Sequence, residues 1–138
     1  KILGEKFGEP WEIAIKHPRR KEKALAALNL TNTCLVTSGD YERFFELEGK
    51  RYHHIIDPRT GYPARGCISA SVVAPNAEYA DALATSLCVL GPAKGLELIE
   101  LLPKVEAVLV GMDGEVHVSS GLQGQVPSGP VDADDTSK

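Results

Sequence analysis

Asp81 and Thr85, in the run AEYADALATS, stand four residues apart in a segment of helical periodicity. That spacing puts a carboxylate and a hydroxyl on one helical face. A hard divalent cation such as Mg²⁺ takes oxygen ligands and leaves much of its shell to phosphate and water, so the pair suits one. The same residues also suit a plain helix, with an acid near its start and a threonine bonding back to the chain. Glu78, one turn earlier, either adds charge or supports the helix end.

The run Thr37–Gly61, TSGDYERFFELEGKRYHHIIDPRTG, holds the other chemistry. His53 and His54 are neighbours on a strand pattern, so they point to opposite faces and at most one enters a given site. Imidazole there could act as a general base near neutral pH or bond a phosphate. Spacing does not choose between the two. The small-residue turn after Thr37, beginning Ser38-Gly39, can present a hydroxyl and backbone N–H groups to an anion. Arg59 can grip a phosphate with two bonds, or hold a surface carboxylate.

These groups need elements to place them. Trp11, Ile13 and Ile15 alternate with polar or small residues, a half-buried strand. Lys21–Asn29 reads as a short helix. Residues 33–37 (TCLVT) read as a strand. Residues 41–48 and 50–57 read as two strands around Glu48-Gly49-Lys50, with Phe45, Leu47, Ile55 and Ile56 turned inward. In Asp57-Pro58-Arg59-Thr60-Gly61, Asp bonds the backbone ahead, Pro fixes φ and Gly permits a positive φ. Residues 67–75 form another strand with small polar residues on one side.

Residues 78–90 give the clearest helix, capped by Asn76, stopped by Gly91, and striped by Ala80, Leu83, Ala84 and Leu87. Pro92 opens a second helix reaching Leu102, with Leu96, Ile99 and Leu102 inward. Asp113-Gly114 between the apolar runs 105–110 and 115–118 marks a hairpin. The elements do not alternate as βαβα. The fold class is therefore α+β, a largely antiparallel sheet packed with helices.

At 138 residues the chain has the length of one domain. The domain is expected over residues 1–122. From 123 to 138 the sequence is rich in Gly, Pro, Ser and Asp and is expected to be a disordered tail. A net charge of −4 with no readable basic face argues against a nucleic-acid partner. The basic run Lys16–Lys23 reads as a solvated loop. No apolar run approaches the roughly 18–20 residues that span a bilayer, and the start has no signal-peptide pattern. The first residue is Lys rather than Met, which fits processing or truncation. Cys34, Cys67 and Cys88 form no C-x-x-C pair and indicate no zinc site. Cys34 and Cys88 read as core residues, and Cys67 is the one considered for reactivity.

Several of these segments occur together and in one order: EPWEIAI, TSGDY, HIIDPRTG, ADALAT and the Asp-Gly hairpin. In this the chain resembles the ApbE-like FAD:protein FMN transferase family, once labelled thiamine-biosynthesis lipoproteins, over roughly residues 9–122. The resemblance implies a T-fold-like architecture and transfer of the FMN half of FAD to a Thr hydroxyl of an acceptor flavoprotein, with release of AMP and a requirement for Mg²⁺. Matched residue by residue, it makes Asp81 and Thr85 metal ligands. It makes His54, just before Ile55-Ile56-Asp57-Pro58, the nucleotide histidine and the catalytic candidate. Thr37 and Ser38 join His54 as walls of the FAD site.

It also implies that this chain is a carboxy-terminal portion, a partial domain that lacks an amino-terminal half. The setting it implies is bacterial, in the periplasm or cell envelope. Two other readings compete. One is an FAD pyrophosphatase giving FMN and AMP with water as acceptor. The other is a non-catalytic flavin-binding or interaction module.

Overall fold

In the computed structural model, which describes residues 1–127 and 129–131, β6 (Cys67–Ala74) is buried along its whole length. Its run CISASVVA is β-branched and small, a strand that fits between two layers. β3 (Cys34–Gly39) pairs with one side of it and β7 (Glu106–Gly111) with the other, both antiparallel. β8 (Glu115–Val118) and β9 (Gly129–Pro130) complete a five-stranded sheet of order β3-β6-β7-β8-β9. The Asp-Gly hairpin lies between β7 and β8, with Gly114 at φ 84°.

The two faces of this sheet carry separate apolar clusters. On one face Ala70, Val72, Ala107 and Leu109 meet α1 (Ala77–Leu90) and α2 (Pro92–Glu100). On the other, Ile68, Val73, Val108 and Val110 meet the hairpin of β1 (Trp11–Lys16) and β2 (Ala24–Leu30). The result is the antiparallel α+β layering expected. The start of α1 follows its sequence signal, since Asn76 accepts from the Tyr79 N–H at 3.0 Å. Ala80, Leu83, Ala84 and Leu87 are its buried face. Gly91, at φ 81°, turns the chain directly into Pro92.

Four expectations are corrected. The helix expected over 21–29 is the strand β2, and Ala26, Leu28 and Leu30 are buried at every second position. Ala and Leu favour helices, but pairing with β1 overrides that preference and the period of two decides. The strands expected over 41–48 and 50–57 shrink to β4 (Phe44–Leu47) and β5 (Lys50–His53). They pair only with each other, as a ribbon outside the main sheet.

In this ribbon Phe45 and Leu47 are 61% and 57% exposed rather than core-facing. Phe45 stacks on Tyr52 of the partner strand, ring centres 5.2 Å apart. Ile55 is buried, but its neighbour Ile56 faces outward. Within the stretch expected as a tail from 123 onward, the described residues are ordered. Gln123 bridges Val126, Val126 is buried in the second cluster, and β9 pairs with β8. The rest of that expected tail, residues 128 and 132–138, lies outside the described residues.

All three cysteines are buried and unpaired. Burial pushes the Cys67 thiol up to about 12, so Cys67 is a core residue and not a nucleophile.

Candidate functional site

The apolar stripe of α1 docks on β3 and β6, which turns the opposite side of its middle turns to solvent. Asp81 and Thr85 both sit there, exposed. The end of β3 comes up beside them, and Ser38 Oγ lies 3.2 Å from Thr85 Oγ1. Cys88, one helical turn on, donates its thiol to the Ser38 carbonyl at 3.6 Å and ties helix to strand. Ser38 and Thr85 thus meet, and Asp81, four residues before Thr85, brings a carboxylate to the same side of α1. Thr37 is not part of this group, because adjacent strand residues point to opposite faces. Its hydroxyl bonds Ser71 Oγ at 2.7 Å across the β3–β6 ladder.

The donor set fits a hard cation. It offers one carboxylate and two hydroxyls, all oxygen, and an ion such as Mg²⁺ fills its remaining positions with water and phosphate oxygens. It does not suit zinc. Among the described residues no three His, Cys, Asp or Glu side chains come together as a metal nest.

The structure separates the two histidines that spacing left equivalent. His53 is buried, and its Nε2–H donates to the Ala64 carbonyl at 3.0 Å, pinning the ribbon to the segment before β6. Its Nδ1 has no hydrogen-bond partner among the described residues. Burial lowers the His53 pKa, with the Ala64 bond acting against the shift, so the ring is held neutral. A histidine depressed in the folded state stabilises the fold above its unfolded value near ~6.5 and loses that contribution as pH falls. We therefore expect stability to drop below about pH 6.5 by more in the native chain than in His53→Gln. Urea unfolding of both proteins across that range checks it, and parallel pH slopes would refute it.

His54 is exposed, with Nδ1 a long 3.4 Å from the Arg43 carbonyl. A carbonyl only accepts, so this contact favours the Nδ1–H tautomer and leaves the Nε2 lone pair facing out. His54 lines an apolar depression of about 510 Å³ with Phe44, Phe45, Ile56 and Tyr62. No described hydrogen bond links His54 to Ser38, Asp81 or Thr85, so the predicted site residues fall into two groups.

The Asp57–Gly61 turn forms as its residues dictate. Asp57 Oδ1 accepts from the Arg59 N–H at 2.9 Å, and Gly61 adopts φ 71°. Of the two fates open to Arg59 the structure takes the carboxylate. Its guanidinium grips Asp57 through 2.9 and 2.8 Å bonds, which hold that carboxyl below the usual range.

Sequence reasoning missed a further ion group. Arg19, read as part of a solvated loop, forks onto both oxygens of Asp40 at 2.6 and 2.7 Å. The Asp40 side chain is only 5% exposed. Arg51 adds a third bond to it at 3.4 Å. Next to Arg19, His17 is buried and its Nδ1 accepts from the Arg19 and Arg20 N–H groups. The only trace in the sequence was an acid just after the Ser38-Gly39 turn and a basic run 21 residues before it, and neither names the other.

A family model described as the ApbE family matches residues 1–109. A curated FAD:protein FMN transferase of Treponema pallidum (strain Nichols) is 40% identical over 135 residues, covering 90% of this chain and 37% of that protein. The crystal structure of the ApbE protein of Thermotoga maritima matches with a TM-score of 0.79 at 37% identity, over 90% of this chain and 41% of that one. The flavin transferase ApbE of Vibrio cholerae matches with a TM-score of 0.71 at 29% identity, over 89% and 40%. The chain thus spans less than half the length of these relatives.

Proposed function

The chain belongs to the ApbE family, and from that membership we propose that it forms part of an FAD:protein FMN transferase. The reaction moves the FMN half of FAD onto a Thr hydroxyl of an acceptor flavoprotein. The Thr oxygen bonds the FMN phosphorus as the bond from that phosphorus to the bridging oxygen opens, and AMP leaves carrying the bridging oxygen. The activity is assigned to the complete protein, because the relatives are longer than this chain. The periplasmic or cell-envelope setting belongs to the same proposal. Among the described residues no helix is long and apolar enough to cross a membrane.

The observation that carries this reading is the contact between Ser38 and Thr85, 3.2 Å, one turn from the Asp81 carboxylate. Asp81 and Thr85 would hold Mg²⁺, with Ser38 beside them. Mg²⁺ so held would offset the charge of the pyrophosphate and of the departing AMP. The Ser38 hydroxyl and the backbone of its turn would bond phosphate oxygens. Exposed His54 would accept the acceptor Thr proton at Nε2. In this reading the dinucleotide would bridge the two groups of residues, which no described hydrogen bond joins.

The test is incubation of the complete protein with FAD, Mg²⁺ and an acceptor domain. Fluorescent flavin joined covalently to the acceptor through a Thr, with no labelling when Mg²⁺ is chelated beforehand, is the expected result. Release of free FMN with no label would replace transfer by hydrolysis.

A further inference from the structure

The second ribbon strand, the Asp57–Gly61 turn and the loop after β1 enclose a cleft of about 870 Å³. Arg19, Lys50, Arg51 and Arg65 line it, against the two carboxylates Asp40 and Asp57. Both carboxylates are already engaged. Asp40 holds Arg19 and Arg51, and Asp57 holds Arg59. Arg51 is fixed further by Glu46 at 3.1 Å and by the Phe44 ring 4.1 Å beneath its guanidinium.

Among the described residues Arg65 reaches only the Arg51 carbonyl, at 3.0 Å, and has no acidic partner. Lys50 makes no side-chain hydrogen bond or ion pair among the described residues. Two cations without counter-charge therefore share one concavity with two more, in a chain whose net charge is −4. Tyr52 and Tyr62 stand beside them, whereas Ser38, His54, Asp81 and Thr85 do not line this cleft.

We infer that the cleft is an oxyanion-binding site that takes a phosphomonoester. The dianionic phosphate sits between Lys50 and Arg65, and its carrier lies along Tyr52 and Tyr62. A guanidinium fork matches phosphate geometry and an ammonium adds a point charge. Tyrosine supplies an apolar body with a polar tip for a flat carrier. The site goes beyond flavin transfer and needs neither metal nor FAD. Free phosphate shares the headgroup chemistry, so the two sources must be told apart.

Calorimetric titration of this chain with inorganic phosphate and with phenyl phosphate, in low-salt buffer free of metal and flavin, does so. Saturable binding is expected for both, several-fold tighter for phenyl phosphate and weakening as salt is added. Lys50→Ala combined with Arg65→Ala should weaken it by about tenfold or more. Both residues are exposed, so folding should survive, as circular dichroism would report. Absence of saturable binding overturns the proposal, and so does indifference to the double substitution. Equal affinity for the two probes overturns the ester in favour of free phosphate. Loss of binding in Ser38→Ala alone would move the oxyanion to the Ser38–Thr85 cluster, while failure of flavin transfer would leave this site standing.

Discussion

Replacing Asp81 with Ala should lower FMN transfer by the complete protein at least ~100-fold, because groups that merely support metal ligands already cost ~10–100-fold when lost. Asp81 brings a carboxylate one helical turn before Thr85, whose hydroxyl meets Ser38. Without it the cluster keeps two neutral hydroxyls, which hold a hydrated dication poorly. Asp81→Asn keeps the shape, removes the charge and should fall almost as far. The fold should not suffer, since Asp81 is exposed and outside the buried stripe of α1. The readouts are single-turnover transfer at saturating FAD and a titration with Mn²⁺ as a spectroscopic substitute for Mg²⁺. Transfer and metal affinity should fall together. Unchanged transfer in either variant would take Asp81 out of the mechanism.

Gly66→Ala should be the counterpart, a large loss of stability from one methyl group. Gly66 leads into β6 and lies against the corner between α1 and α2. A Cβ there would meet the Cys88 carbonyl at 2.6 Å, the Gly91 nitrogen at 2.7 Å and the Val89 carbonyl at 2.9 Å. All three are backbone atoms, so no side-chain rotation relieves the clash. Overpacking of this kind costs about 3 kcal/mol, or roughly 10 °C in Tm for a chain of this size. Thermal unfolding by circular dichroism measures it. A shift of less than about 2 °C would show that the corner yields. The damage reaches the site as well, because pushing the end of α1 away draws Cys88 off the Ser38 carbonyl and Thr85 off Ser38.

What could be read from the sequence were the features that local rules fix. Asn76 and Gly91 bracket α1, Asp113-Gly114 closes a hairpin, and the 81/85 spacing sets two oxygens on one helical face. The misreadings have a common origin in what lies across from a segment. Residues 24–30 look helical until β1 is there to pair with them. Phe45 and Leu47 look like core residues until β4 and β5 are seen to stand apart from the main sheet. Alternation set His53 and His54 on opposite faces, but only the Ala64 carbonyl decides which one is buried. The Arg19–Asp40 pair closes over 21 residues and has no local signature. Thr37 and Ser38 looked like one wall, and the strand period sends their hydroxyls apart.

The ribbon of β4 and β5 shares no strand with the central sheet. Its outward side chains support little of the fold, so changing Phe45, Leu47 or Ile56 spends almost none of the narrow margin by which a domain stays folded. The cluster on β3 and α1 has no such freedom, because its supports are the core itself. The molecule is divided into a conserving half and a permissive half. Redesign of what sits beside His54 can proceed on the ribbon by ordinary substitution, with the scaffold that holds Asp81 and Thr85 left untouched.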